Sequence, residues 1–169
     1  ALNQKTGAPE WHFTTGGRID SPPSVWKGRV VFGCADGWVY CLRAKDGAMV
    51  WRFRGAPKWD RHMAFEGLES VWPVSGSVLM EGNVAQFIAG RSNFMDGGLR
   101  FVKVDVETGS KLVETSVDDK DPLTGGDFQD SHQTLQMPAG LADILVSDGK
   151  FTYLKSQKFN ADGSRSEFG

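Results

Sequence analysis

The chain has 169 residues, 40% of them hydrophobic and 24% charged, which is apolar material for one core and predicts a single domain or part of one. Its 19 Lys and Arg against 21 Asp and Glu leave a net charge of -2, which argues against the clustered basic surface that nucleic acid or anionic lipid selects. No apolar run approaches the roughly 18 to 20 residues that span a bilayer, and Ala1–Glu10 lacks the charged-then-apolar pattern of an export signal.

Gly and Pro scattered among Val, Phe and Trp predict many short strands joined by tight turns. In chain order, residues 1–17 read as the end of one unit. Residues 18–54 read as four strands, Ser21–Trp26, Arg29–Ala35, Trp38–Ala44 and Ala48–Arg54, with Lys27-Gly28, Asp36-Gly37 and Asp46-Gly47 as turns. The irregular, charged stretch 55–73 reads as an insert. Residues 74–117 repeat the plan with Val74–Met80, Val84–Ala89, Leu99–Asp105 and Leu112–Val117. Residues 118–140 read as a long loop, and 141–169 as the start of a third unit, with strands at Asp143–Val146 and Lys150–Lys155.

Self-similarity supports these divisions. Ala1–Trp11 aligns with Cys41–Trp51 and, more loosely, with Lys103–Val113, placing Gly7, Gly47 and Gly109 at one turn position and Trp11 and Trp51 four residues further on. Four-stranded units repeated at about 40 to 45 residues predict propeller blades, because a small twisted sheet buries its faces only against neighbouring sheets. The expected fold is all-β, a β-propeller segment of about two and a half antiparallel blades. With a blade broken at either end of the pattern, the remaining blades of a longer parent are the first expected partner.

A two-residue turn at Asp36-Gly37 would pair Cys34 with Val39 and place Cys41 on the same sheet face as Cys34, a marginal diagonal for a disulfide. Buried free thiols are the preferred reading. The one Trp-Asp pair, Trp59-Asp60, falls in the insert, so the Trp-Asp repeat pattern fits poorly. The double glycines at Gly16, Gly97 and Gly125 lack the following aromatic residue of a kelch repeat.

The pattern Ala-Leu-(Asp)-x-x-Thr-Gly-x-x-x-Trp instead resembles the repeat of pyrroloquinoline-quinone (PQQ)-type propellers, the quinoprotein alcohol dehydrogenase-like family. It is carried by Ala1, Leu2, Thr6, Gly7 and Trp11, by Leu42, Gly47 and Trp51, and by Asp105, Thr108 and Gly109. Asn3 and Arg43 stand where the family has Asp, Asp46 replaces the turn Thr, and Val113 replaces a docking Trp. The resemblance implies three functional classes: a non-catalytic binding scaffold, which is preferred; a fragment of a PQQ-dependent dehydrogenase, with PQQ and calcium as cofactors only in that case; and a propeller scaffold that binds a protein partner in outer-membrane assembly. It also implies a periplasmic or extracellular location. The dehydrogenases use adjacent cysteines beside the cofactor, and Cys34 and Cys41 are not adjacent.

In an up-and-down blade, the connections sort onto two rims. The short turns, among them those at Lys45 and Glu107, fall on one rim; the 55–73 insert, the Gly90–Gly98 loop and the 118–140 loop fall on the other. Long loops on a rigid scaffold are where binding sites are grafted. The candidate contacts there, for a small molecule or a protein, are Arg91, Asp96, Arg61, Glu69 and Trp72, with Trp59, Asp60, His62 and Glu66 beside them. An Arg91–Asp96 brace is the competing reading for that pair. His12, His62 and His132 have no metal-ligand spacing, Asn160–Ser166 lacks the glycine position of a calcium loop, and no catalytic residue or metal site is assigned.

Overall fold

Lys27 (φ 40°) and Gly28 (φ 76°) both take left-handed backbone, the conformation that lets a two-residue turn follow the twist of the strands it joins. That turn connects β1 (Ser24–Trp26) to β2 (Arg29–Gly33), and β3 (Trp38–Arg43) and β4 (Met49–Arg54) complete an antiparallel meander in the order β1-β2-β3-β4. The structure, a computed structural model, describes residues 1–64, 67–127, 140–155 and 157–166.

The stretch expected to be irregular holds a hairpin, β5 (Arg61–Ala64) and β6 (Gly67–Ser70). A second blade follows as β7 (Leu79–Glu81), β8 (Val84–Ala89), β9 (Leu99–Asp105) and β10 (Lys111–Val117), in sequential order. The third sheet has all four strands where two were expected: β11 (Val146–Ser147), β12 (Thr152–Leu154), β13 (Gln157–Phe159) and β14 (Arg165–Ser166). The fold is thus an all-β propeller segment, with three four-stranded blades and one inserted hairpin among the described residues.

Alternation within the strands sends side chains to two inter-blade cores. Val31, Val39, Cys41 and Trp51 of the first blade meet Ala85, Phe87, Val102 and Val104 of the second. On the opposite face of the second blade, Ile88, Leu99, Phe101 and Val117 meet Leu145, Leu154 and Phe159 of the third, with Phe101 and Phe159 stacked at 4.1 Å between ring centroids. The other face of the first blade, Phe32, Cys34, Tyr40 and Leu42, is covered by Trp11 and Phe13.

The β2–β3 connection departs from its expected register. Gly33 pairs with Val39 and Val31 with Cys41, so the turn has one residue more than anticipated. Cys34 donates its backbone N–H to Trp38 O and accepts one from Gly37 N–H, closing the wider loop. A one-residue slip sends a side chain to the other face of a sheet. Cys34 and Cys41 accordingly lie in different cores, both fully buried and both free. Burial pushes each thiol up to about 11.

The repeated turn is built the same way in each copy. The N–H groups of Gly7, Gly47 and Gly109 donate to the carbonyls of Asn3, Arg43 and Asp105, each at 2.8 Å. A fourth copy, which sequence reading missed, lies in the long crossing: Gly125 N–H donates to Asp121 O at 2.9 Å. The Asp105 and Asp121 carboxylates also accept backbone N–H groups inside their turns, which holds both well below the usual carboxylate range.

Candidate functional site

The long-loop rim is organised by the β5–β6 hairpin. Ser70 N–H donates to Ala35 O at 2.9 Å, and Gly37 lies so close to Ser70 and Ala56 that a Cβ there would come within 2.9 Å of them. The hairpin root is therefore packed onto the β2–β3 turn. Met63 and Leu68 face each other across the hairpin and are 71% and 51% exposed, and Trp59 at its base is 64% exposed. Apolar side chains exposed together on a fixed hairpin form a contact surface, unlike the same residues scattered singly.

Beside the hairpin base, aromatic and guanidinium groups are interleaved. Trp38 and Trp59 have ring centroids 5.9 Å apart, with Arg52 over Trp38 at 4.4 Å and Arg54 over Trp59 at 4.6 Å. The alternation that puts Trp38 and Tyr40 on one face of β3, and Arg52 opposite Tyr40 on β4, brings them to a cleft of about 450 Å³ that Arg61 and Asp36 also line. Asp36 accepts bonds from Tyr40 Oη at 2.6 Å and from the N–H groups of Gly16 and Trp38. Burial and the bond to Asp36 raise the Tyr40 hydroxyl above its ordinary value. The cleft thus offers flat apolar walls and cationic edges, a surface that takes aromatic or acidic groups.

The five sequence candidates divide. Arg61 is exposed on this cleft. Arg91 is ion-paired with Asp96 at 2.5 Å, and its Nη1 lies 3.4 Å from His62 Nε2, so it links the 90–98 loop to the hairpin. Asp96 takes left-handed backbone (φ 56°), and the bond to Arg91 holds its carboxylate across the loop. Glu69 is 6% exposed and ion-paired with Arg18, while Trp72 is 5% exposed inside the first inter-blade core. Neither of those two faces the rim. Glu66 and His132 lie outside the described residues. What sequence reading missed is the Trp38–Arg52 half of the cleft, for which the alternation of β3 and β4 was the available signal.

The structural repeat residues behave as inter-blade fittings. Trp11 Nε1 donates to Ala44 O at 2.9 Å, and Trp51 Nε1 donates to Val106 O at 2.8 Å. Val113, four residues beyond Gly109, packs on Gly163, the glycine of the next blade's last turn. The Asn160–Ser166 segment, which lacks the glycine position of a calcium loop, holds this β13–β14 turn and β14 itself. Its Asp162 carboxylate accepts bonds from Ser164 N–H and Oγ at 2.9 and 2.7 Å.

A propeller segment whose blades dock by turn glycines and aromatic residues defines the class of protein. Residues 1–153 match the PQQ-type repeat family described as "Outer membrane protein assembly factor BamB", and the chain belongs to that family. Among solved structures it is similar to BamB from Moraxella catarrhalis (TM-score 0.60, 15% identity, 99% of this chain and 44% of that one). It is also similar to the quinohemoprotein alcohol dehydrogenase ADHIIG from Pseudomonas putida HK5 (TM-score 0.61, 18% identity, 89% of this chain and 26% of that one). A europium-containing methanol dehydrogenase superposes with a TM-score of 0.53 at 15% identity, over 94% of this chain and 28% of that one. At these identities the likeness is one of fold, and the chain spans less than half the length of each. No curated protein matches the sequence.

The resemblance implies adjacent cysteines beside the cofactor in the dehydrogenases, whereas the thiols of Cys34 and Cys41 are buried on opposite faces of one blade and are not such a pair. Among the described residues no group of three or more His, Cys, Asp or Glu side chains converges.

Proposed function

We propose that this chain is a non-catalytic part of a propeller scaffold whose long-loop rim docks a protein partner. The observation that carries the reading is the β5–β6 hairpin, with Trp59, Met63 and Leu68 exposed on an element whose root is hydrogen-bonded to the first blade. A preformed apolar protrusion beside Arg54 and Arg61 has the composition of a binding hot spot, aromatic and Arg at the centre with little ordering to pay for on docking. Membership of a family described as an outer-membrane assembly factor supports a protein as the occupant, and with it a periplasmic or extracellular location. On this reading Arg91 and Asp96 hold the neighbouring loop against the hairpin, and Arg61 makes contact.

The test is a pull-down with the parent protein carrying Trp59→Ala or Met63→Asp. Both variants should fold and lose the partner. The dehydrogenase reading makes the opposite forecast: tight PQQ binding in the presence of calcium, unaffected by either substitution.

A further inference from the structure

Comparison of the first two blades residue by residue shows one row rebuilt. Across the first blade, Val31 pairs with Cys41 and Cys41 with Trp51, and all three enter the core shared with the second blade. At the corresponding places of the second blade, Gln86 pairs with Lys103 and Lys103 with Val113. The small residue beside a large aromatic one has become a long cationic one beside a small aliphatic one. The carbonyl bond is rebuilt as well: Trp51 Nε1 donates to Val106 O in the turn of the blade it faces, and Lys103 Nζ donates to Ala161 O at 3.1 Å in the turn of the third blade.

Val113, at the place of Trp51, does not fill the volume of an indole. Between the second and third blades a cavity of about 310 Å³ remains, with Val84, Leu112, Val113 and Phe151 among its apolar walls. Lys103 lines it and is 9% exposed. Its ammonium has three donors; among the described residues one is hydrogen-bonded, to Ala161 O, the group lies 5.6 Å from the Phe101 ring centroid, and no carboxylate is in ion-pair range. Glu81, across the cavity, is engaged elsewhere: one carboxylate oxygen accepts from Ser147 Oγ and the other from Gln86 Nε2. Gln86 in turn accepts from Thr152 Oγ1 at 2.8 Å, so this wall is fixed. Lys150 stands at the mouth, over the Phe151 ring at 4.9 Å. A buried ammonium with unused donors beside apolar walls carries a desolvation cost that an anion relieves. That burial lowers the ammonium pKa, with Glu81 and Asp162 opposing it only at a distance.

We infer that the cavity between the second and third blades is a binding site for a small aromatic carboxylate, its ring in the space an indole fills one blade earlier and its carboxylate on Lys103. The site lies on the short-turn rim, away from the hairpin, and stands apart from the docking reading.

The experiment is a calorimetric titration of the full chain with indole-3-acetate and, separately, with indole. The acid should bind at least about tenfold tighter than neutral indole, the worth of a desolvated charge-assisted bond. Lys103→Met should remove that preference while leaving indole binding unchanged, and Lys103→Arg should retain it. The pair Lys103→Cys with Val113→Trp, which recreates the Cys41–Trp51 part of the first blade's row, should abolish binding of both probes while near-ultraviolet circular dichroism stays native. Equal affinity for the two probes, a preference that survives Lys103→Met, or no binding of the acid at millimolar concentration each overturns the assignment.

Discussion

The indole of Trp51 rests against the bare Cα of Gly109, so close that a Cβ there would come within 2.7 Å of its ring, and its N–H reaches Val106 O three residues upstream in the same turn. Trp11 stands in the same relation to Gly47, where a Cβ would come within 2.5 Å of the ring. A turn glycine of one blade is thus the docking surface for an aromatic residue of the one before.

Two substitutions at this joint should both be felt as stability. Trp51→Ala removes a large side chain from the core and should cost about 3 to 5 kcal/mol. Gly109→Ala meets left-handed backbone (φ 72°), costing about 1 to 2 kcal/mol, with displacement of the indole in addition. Urea unfolding monitored by far-ultraviolet circular dichroism checks both, and near-neutral changes contradict the docking role.

Cys34 and Cys41 should resist thiol reagents until the chain unfolds, because both are fully buried with thiols held up to about 11. Reaction with Ellman's reagent at pH 8 should be negligible in buffer and account for both thiols in guanidinium. Oxidation should form no intramolecular disulfide while the fold persists, since the two side chains occupy opposite faces of the blade.

Asp148 caps the β11–β12 turn, accepting from the N–H groups of Phe151 and Lys150 and from Tyr153 Oη, and these bonds hold its carboxylate down to about 2. A carboxylate depressed in the folded state stabilises it fully above its unfolded value of about 3.9 and loses that contribution as pH falls toward the folded value. The chain should therefore lose part of its stability between about pH 4 and pH 2. Asp148→Asn should flatten that portion of the acid-unfolding profile.

Arg91 and Asp96 should couple in stability. Their ion pair is partly exposed, so a double-mutant cycle should give a coupling of about 0.5 to 1 kcal/mol, screened by salt. Partner binding should weaken only as far as the hairpin loses its support through His62.

The spacing of Gly7, Gly47 and Gly109, with Trp four positions after the first two, made the blades legible in the sequence, because one turn geometry repeated requires one residue pattern repeated. The β2–β3 register was not legible. Two- and three-residue loops differ there by whether Ala35 joins the ladder, and Ala suits either. The last two strands of the third blade have three and two residues, too short for alternation to show. In the insert, charge suggested an irregular surface loop, yet cross-strand pairing turned Glu69 inward onto Arg18 and left Met63 and Leu68 facing solvent. Burial there depends on which way a hairpin folds back, which composition does not encode. The Asp121–Gly125 turn carries the same Asp-x-x-Thr-Gly pattern as Asp105–Gly109, but it lies in a polar stretch that reads as a loop.

The central claim is that the parent protein meets its partner through the long-loop rim. Site-specific photo-cross-linking from positions 59, 63, 45 and 107 of the parent protein in the cells that make it tests it most directly. The account predicts one discrete protein adduct from positions 59 and 63 and none from Lys45 or Glu107 on the short turns. Adducts from 45 and 107 with none from the hairpin would contradict it.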